Sequence, residues 1–213
     1  IFSEDDPYYS EAVAEAWPGY DPEAAQELID EYVNDPARSD GKAPGEPVAF
    51  RYDCLPEQSL VDLASLYQTF WQDIGVEVEL RQVEQATHVS EALSGDFQAK
   101  CFRAGLDRDP YPTLRDAFTL PSPLNFTRFT DPTIDEDLAE LAASGDLDER
   151  KALVEEISMT VNEGFPLSYY GSTLAVLAAQ DYVKNVDGWT FPDGTKGQGT
   201  PGATTHWANV WRT

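Results

Sequence analysis

The chain has 213 residues, 41 % of them hydrophobic and 12 % aromatic, which is enough to build a buried core and too apolar for a disordered chain. Its net charge is −25, from 39 acidic against 14 basic side chains. Phosphate backbones and anionic lipid surfaces both recruit clustered Lys and Arg, so this balance argues against nucleic acid and against a membrane surface as partner.

Residues 1–20 are aromatic and acidic, with Pro7-Tyr8-Tyr9 and Trp17-Pro18-Gly19-Tyr20, and read as a loop carrying a short helix over 10–16. Asp21-Pro22-Glu23 then supplies an N-cap, a first-turn proline and a first-turn acid, which start a helix running to about residue 33. Residues 34–47 are polar and rich in Pro and Gly, and read as a loop. From Val48 the rhythm changes. Residues 48–54 read as a strand, and residues 57–74 as a helix with Leu60, Leu63, Tyr67, Phe70 and Ile74 on one face. Gly75 closes that helix, 76–81 alternate as a second strand, 87–94 form a short helix closed by Gly95, and 97–103 read as a third strand.

This β-α-β-α-β order implies parallel strands in an α/β layer. If the first strand is central, the first and third are neighbours. Cys54 ends the first and Cys101 lies in the third, so a disulfide between them becomes geometrically plausible in an oxidising compartment; two buried thiols are the alternative.

Beyond Arg103 the order loosens. Residues 104–112 read as a loop, 113–118 as a short helix, and 121–130 as a Phe-rich loop. Asp131-Pro132 opens a helix to about residue 144, and Asp146 with Glu149 resembles a capping box for a helix to about 162. Residues 166–170 read as a strand, 174–178 as a further apolar run, and 187–213 as a Gly-, Thr- and Trp-rich tail without a period. The chain thus divides into a helical lead-in over 1–47, an α/β lobe over 48–186 and a tail over 187–213.

Signals for catalysis are weak. No Gly-x-Ser-x-Gly elbow is present, and His88 and His206 have no evident partners. Two Cys and two distant His do not match a metal-site spacing, so no metal or other cofactor is expected. Acid pairs such as Asp107/Asp109 arise readily among 39 acids, which leaves an acid/base hydrolase as the least favoured reading. No stretch reaches the ~20 apolar residues of a membrane span. The opening Ile1-Phe2-Ser3-Glu4 is not a signal sequence, so the chain reads as processed or trimmed. The remaining candidate is the loop after the third strand, because ligands of open parallel sheets bind beyond the strands' carboxyl ends. There Asp107 can accept from an ammonium, Arg103 can meet a carboxylate, and Gly105 permits close backbone approach.

The order of short segments resembles a known family. Pro7-Tyr8-Tyr9 and Gly19-Tyr20-Asp21-Pro22-Glu23-Ala24-Ala25, then Ile74-Gly75-Val76-Glu77-Val78-Glu79-Leu80, then Ser94-Gly95-Asp96-Phe97-Gln98-Ala99, follow in the order of the oligopeptide-, dipeptide- and nickel-type solute-binding proteins of ABC importers. Asp131-Pro132-Thr133-Ile134-Asp135, Asp148-Glu149-Arg150-Lys151-Ala152-Leu153 and Phe165-Pro166-Leu167-Ser168-Tyr169-Tyr170 complete the series. The resemblance implies an α/β, periplasmic-binding-protein-like lobe with extra helices, forming the C-terminal portion of a two-lobed, extracytoplasmic receptor. The tail would return to the absent first lobe, and a lipid anchor could precede it. It further implies capture of a small solute, a peptide first of all, for ABC permease subunits, without catalysis. The family's strand-end loop usually reads Gly-Trp-x-x-Asp, with the Asp receiving a peptide's ammonium. Here it reads Arg103-Ala104-Gly105-Leu106-Asp107, followed by Arg108. The Asp is kept and the Trp is missing. Asp107 is therefore the expected ammonium contact, Arg103, Ala104 and Gly105 shape the pocket, and Arg103 or Arg108 would take a carboxylate. The altered loop leaves open a non-peptide solute such as an oligosaccharide, a metal chelate or a nickel complex.

Overall fold

The computed structural model describes residues 1–213 except 5, 104, 106–108, 170, 172–177 and 187–209. Two units are distinguished, Ile1–Ser168 and Tyr169–Thr213.

The first unit begins with α1 (Glu11–Ala16) and α2 (Pro22–Asn34). Asp21 caps α2 by accepting from the Ala24 amide at 2.9 Å, and Pro22 occupies the first turn, where a missing N–H costs nothing. The polar loop that follows is organised by Arg38. This buried guanidinium grips Asp40 through two 2.7 Å bonds and donates to the carbonyls of Val33, Ala43 and Glu46.

Then come β1 (Ala49–Cys54), α3 (Gln58–Asp73), β2 (Glu77–Gln82), α4 (Gln85–Ser94) and β3 (Ala99–Lys100). The strands are parallel and ordered β2-β1-β3, with Tyr52 opposite Leu80 and Ala99, and Asp53 opposite Arg81 and Lys100. Strand alternation sorts the side chains onto two faces. Tyr52, Cys54, Val78 and Cys101 pack with Leu60 and Ala64 of α3 in one apolar cluster. Trp71 of α3 meets Phe50 and Tyr52 edge-on, with centroids 5.1 Å apart in both pairs. Leu60, Leu63, Tyr67 and Ile74 of the expected helix face pack into this cluster, and the departure is at one position. Trp71 packs inward, while Phe70 is exposed and meets Tyr20.

The third strand is shorter than the expected 97–103. At its start the Arg51 amide donates to the side chain of Gln98, at 2.8 Å, so a side chain takes the place of ladder backbone. At its end the Cys101 amide still donates to the Asp53 carbonyl at 2.9 Å. Gly95 closes α4 in the left-handed region (φ 79°), which a residue with a Cβ adopts only at a cost.

The chain continues through α5 (Pro110–Phe118), α6 (Pro132–Ala143) and α7 (Leu147–Gly164). Leu114 and Phe118 of α5, Ile134, Leu138 and Leu141 of α6, and Leu153, Val154, Ile157 and Val161 of α7 form the second core, against which Ile1, Phe2 and Tyr8 also pack. Asp109-Pro110 and Asp131-Pro132 repeat the capping device of Asp21-Pro22. At α7, Asp146 caps the Asp148 and Glu149 amides, but Glu149 reaches the Ser144 hydroxyl at 2.6 Å instead of closing a reciprocal box. Asn162 of α7 donates to the Val13 carbonyl and so ties α1 to this layer.

The strand expected over 166–170 does not form among the described residues 166–169. Phe165 ends α7 in the left-handed region (φ 49°), its amide bonded to the Val161 carbonyl, and Pro166 has no N–H to offer a ladder. Residues 174–177 of the apolar run lie outside the described residues. In the second unit β4 (Val183–Lys184) pairs antiparallel with β5 (Trp211–Arg212), a pairing that composition did not suggest.

Candidate functional site

All three parallel strands end on one edge. From β1 the chain crosses through α3 to β2 on one side, then through α4 to β3 on the other, so the order reverses between β1 and β3. In open α/β sheets that switch point is where the loops part and leave a crevice. Cys54 and Cys101 face each other here, with Cα atoms 5.1 Å apart, and the structure joins them as a disulfide.

The loop leaving β3 is fixed at both ends. At its start Arg103 Nη2 lies 2.8 Å from Glu57 Oε2, across the switch point. Glu57 precedes α3, and its side chain makes no cap bond to that helix. Phe102 stacks on His88 of α4, with centroids 5.5 Å apart and planes 12° apart, and touches Phe126 at 4.8 Å. At its far end Asp109 caps α5 through the Tyr111 amide and accepts from Arg150 Nη2 at 2.6 Å. Arg150 also donates to the Leu141 carbonyl, which couples this loop end to α6 and α7. Phe126 is presented by a loop built around fully buried Asn125, whose side chain donates to the Phe129 carbonyl at 2.8 Å. Arg128 in turn bonds the Leu93 carbonyl at the end of α4.

Of the expected site residues, Arg103 and Gly105 are exposed on this edge; Ala104, Asp107 and Arg108 lie outside the described residues. Arg103 is engaged by Glu57, so a ligand carboxylate would compete with an internal one. A Cβ at Gly105 would meet no atom within 4 Å, and its φ is outside the left-handed region.

The sheet face opposite α3 carries a set of groups that sequence reasoning missed. Asp53 has no exposed side-chain surface and binds Arg81 at 2.8 Å and Arg51 at 3.0 Å. Arg81 also binds Glu91 of α4 at 2.7 Å, and Lys100 binds Glu91 at 3.1 Å. Burial pushes the Asp53 carboxyl up, but the hydrogen bonds from Arg81 and Arg51 outweigh it and hold the carboxyl below its ordinary range. The same contest, burial against Arg81 and Lys100, lowers Glu91, while the Asp53 bond raises Arg81. His88 is 1 % exposed; its Nε2 lies 2.9 Å from the Cys101 carbonyl and therefore carries the donated proton. Its Nδ1 faces the Lys100 ammonium at 3.5 Å. Burial, then Lys100, pushes the imidazole below its ordinary 6.5 and keeps it neutral. The signal was present in the alternation Arg51-Tyr52-Asp53 and Glu79-Leu80-Arg81, which puts opposite charges side by side on one face. Among the described residues no group of His, Cys, Asp and Glu is gathered to hold a metal, and no helix is long and apolar enough to cross a membrane.

A parallel sheet in this order, helices on both faces and a loop-lined carboxyl edge define a mixed α/β lobe of the periplasmic-binding-protein fold. Residues 1–126 match the family described as bacterial extracellular solute-binding proteins, family 5 middle, and the chain belongs to that family. Solved structures agree on the fold. The oligopeptide-binding protein AppA of Bacillus subtilis, in complex with a nonapeptide, is 20 % identical with a TM-score of 0.65 over 77 % of this chain and 34 % of its own. NikA of Staphylococcus aureus, in complex with Ni(L-His)2, is 16 % identical with a TM-score of 0.63 over 78 % and 34 %. A mannohexaose-bound periplasmic oligopeptide-binding protein of Thermotoga maritima is 21 % identical with a TM-score of 0.59 over 75 % and 32 %. The chain thus spans about a third of the length of these proteins. No curated protein matches it.

Proposed function

We propose that this chain is part of a receptor that captures a small solute and hands it to the membrane permease of an ABC importer, without chemical change to the solute. The observation that carries this reading is the β1/β3 switch point, whose following loop is pinned at its start by Arg103–Glu57 and at its end by Asp109–Arg150. A peptide is the first candidate, with Asp107 accepting its ammonium and Arg103, Ala104, Gly105 and Arg108 around it. The rest of the receptor would supply the opposing lobe, and closure would bury the solute between the two. Extracytoplasmic residence is supported by the family and by the Cys54–Cys101 bridge, which suits an oxidising compartment.

A non-peptide solute is the second reading, favoured by the missing Trp in the loop and by the pairing of Arg103 with Glu57. The test is calorimetry on the full-length receptor with short peptides, mannooligosaccharides and a nickel–histidine complex. If a peptide binds, D107A is expected to weaken it by about tenfold or more, the worth of a charge-assisted hydrogen bond. Unchanged peptide affinity in D107A removes the ammonium role. Binding of only the sugar or the chelate selects the second reading.

A further inference from the structure

Beside the Arg103–Glu57 pair and the Phe102–Phe126 contact, two holds on the start of the switch-point loop come from one side chain. His88 Nε2–H holds the Cys101 carbonyl, and the His88 ring supports Phe102, the first two residues past β3. The disulfide fixes the Cys101 side chain to β1, and among the described residues His88 is the side chain that holds the carbonyl setting the direction of the next peptide. Phe102 is 36 % exposed and also touches Phe126, so its release exposes further apolar surface and needs a driving force of its own.

From this geometry we infer that His88 is a positioning residue for the ligand loop, an acid-sensitive latch that holds the loop's first residues while its imidazole is neutral and releases them when it is protonated. The reason lies on the other ring nitrogen. A proton on Nδ1 would face the Lys100 ammonium at 3.5 Å. Lys100 cannot swing away freely, because it also donates to the His88 carbonyl at 3.1 Å and to Glu91. The nearby carboxylates are already shared. Glu91 serves Arg81 and Lys100, and Asp53 serves Arg51 and Arg81. From the loop side Arg128 adds a further positive charge at the end of α4. Protonation therefore adds a cation to a cluster whose anions are spent, and the cheapest relief is for His88 to leave its carbonyl and for Phe102 to lift with it.

The inference rests on the proposed ligand role of the loop only for its consequence; the latch itself is measurable without solute. Hydrogen–deuterium exchange of the peptide covering 97–103 is compared at about pH 7.5 and at the acid end of the His88 titration, which lies below the ordinary histidine value and is located by NMR, with correction for intrinsic rates. Protection in the wild-type chain is expected to fall about tenfold at the lower pH. H88Q keeps a donor for the carbonyl and cannot titrate, so it should be protected at both values; H88L has no donor and should be unprotected at both. The histidine Cε1 proton resonance missing from H88Q identifies His88, and its titration should follow the loss of protection. Wild-type protection that does not change with pH, an H88Q chain that loses protection as the wild type does, or an H88L chain protected at pH 7.5 would each overturn the latch. In the full-length receptor, a released latch with unchanged solute affinity would count against the loop as ligand-bearing while leaving the latch established.

Discussion

A carboxylate with no exposed surface sits in the middle strand because two guanidiniums reach it from its own face. Asp53 repays its desolvation through Arg81 and Arg51, and each bond is charge-assisted. Removing it leaves two arginines unpaired on that side, and because both are about a third exposed, D53A is expected to cost at most about 3–5 kcal/mol, the loss of one partner of a buried pair, read by urea unfolding at neutral pH. The pH dependence has a definite sign. The folded carboxyl lies below its free value of 3.8, so the unfolded chain binds the proton first, and the stabilisation is complete above 3.8 and lost as pH falls through the folded value. The gap between wild type and D53N should therefore close in acid. A D53N chain as stable as wild type at neutral pH would show that the pair contributes nothing. His88 titrates in a separate window. Its lowered value makes its contribution complete above 6.5 and lost as pH falls from there. At this scale the sequence was only partly legible. The ligand loop is proposed from Asp107 alone, whereas Asp53 and His88 act through partners 28 and 13 positions away, and only the sheet brings those together.

Elements were read best where a local rule decides them. Asp-Pro capping is settled within four residues, which is why α2 and α6 begin where expected. The parallel pairing followed from crossover lengths, and the central place of β1, taken as a condition from doubly wound sheets, is the one observed. Elements failed where a distant neighbour or a cap overrode the pattern. Gln98 replaced backbone pairing at β3, and the left-handed Phe165 turned the chain before Pro166 could begin a strand. The same helix end gives a test of packing. A Cβ at Gly164, the last residue of α7, would lie 2.4 Å from Cε2 and Cζ of Phe129. Helix propensity alone would favour alanine by about 1 kcal/mol. Phe129 packs against the α5–α6–α7 core and cannot swing away freely, so overpacking of about 1–3 kcal/mol should win. G164A is expected to lower Tm by a few degrees, and the same change in an F129L background should not. A rise in Tm for G164A with Phe129 intact would mean that the ring yields cheaply.

For the whole molecule the dominant quantity is charge. At −25 the chain has far more carboxylates than basic groups to pair them, and several basic groups are already committed, Arg38, Arg81, Lys100 and Arg150 among them. The strain is visible on α6, where burial and then Glu156, Glu140, Glu136 and Asp131 push the Asp137 carboxyl upward. Folding concentrates this charge, and the repulsion opposes the compact state until counterions screen it. Raising salt from about 0.1 M to about 1 M shortens the Debye length from about 10 Å to about 3 Å, so repulsion between exposed carboxylates is largely screened. Tm at neutral pH should therefore rise by several degrees over that range. KCl and choline chloride should act alike, since both screen, whereas an uncharged excluded solute such as sucrose should reproduce the gain only without its steep rise at low concentration. The ion pairs of the sheet should not reverse the trend, because Asp53 at their centre has no exposed side-chain surface. A Tm that stays flat or falls between 0.1 M and 1 M would mean that pairing and orientation already offset the excess charge, and that the acidic surface contributes solubility at no cost in stability.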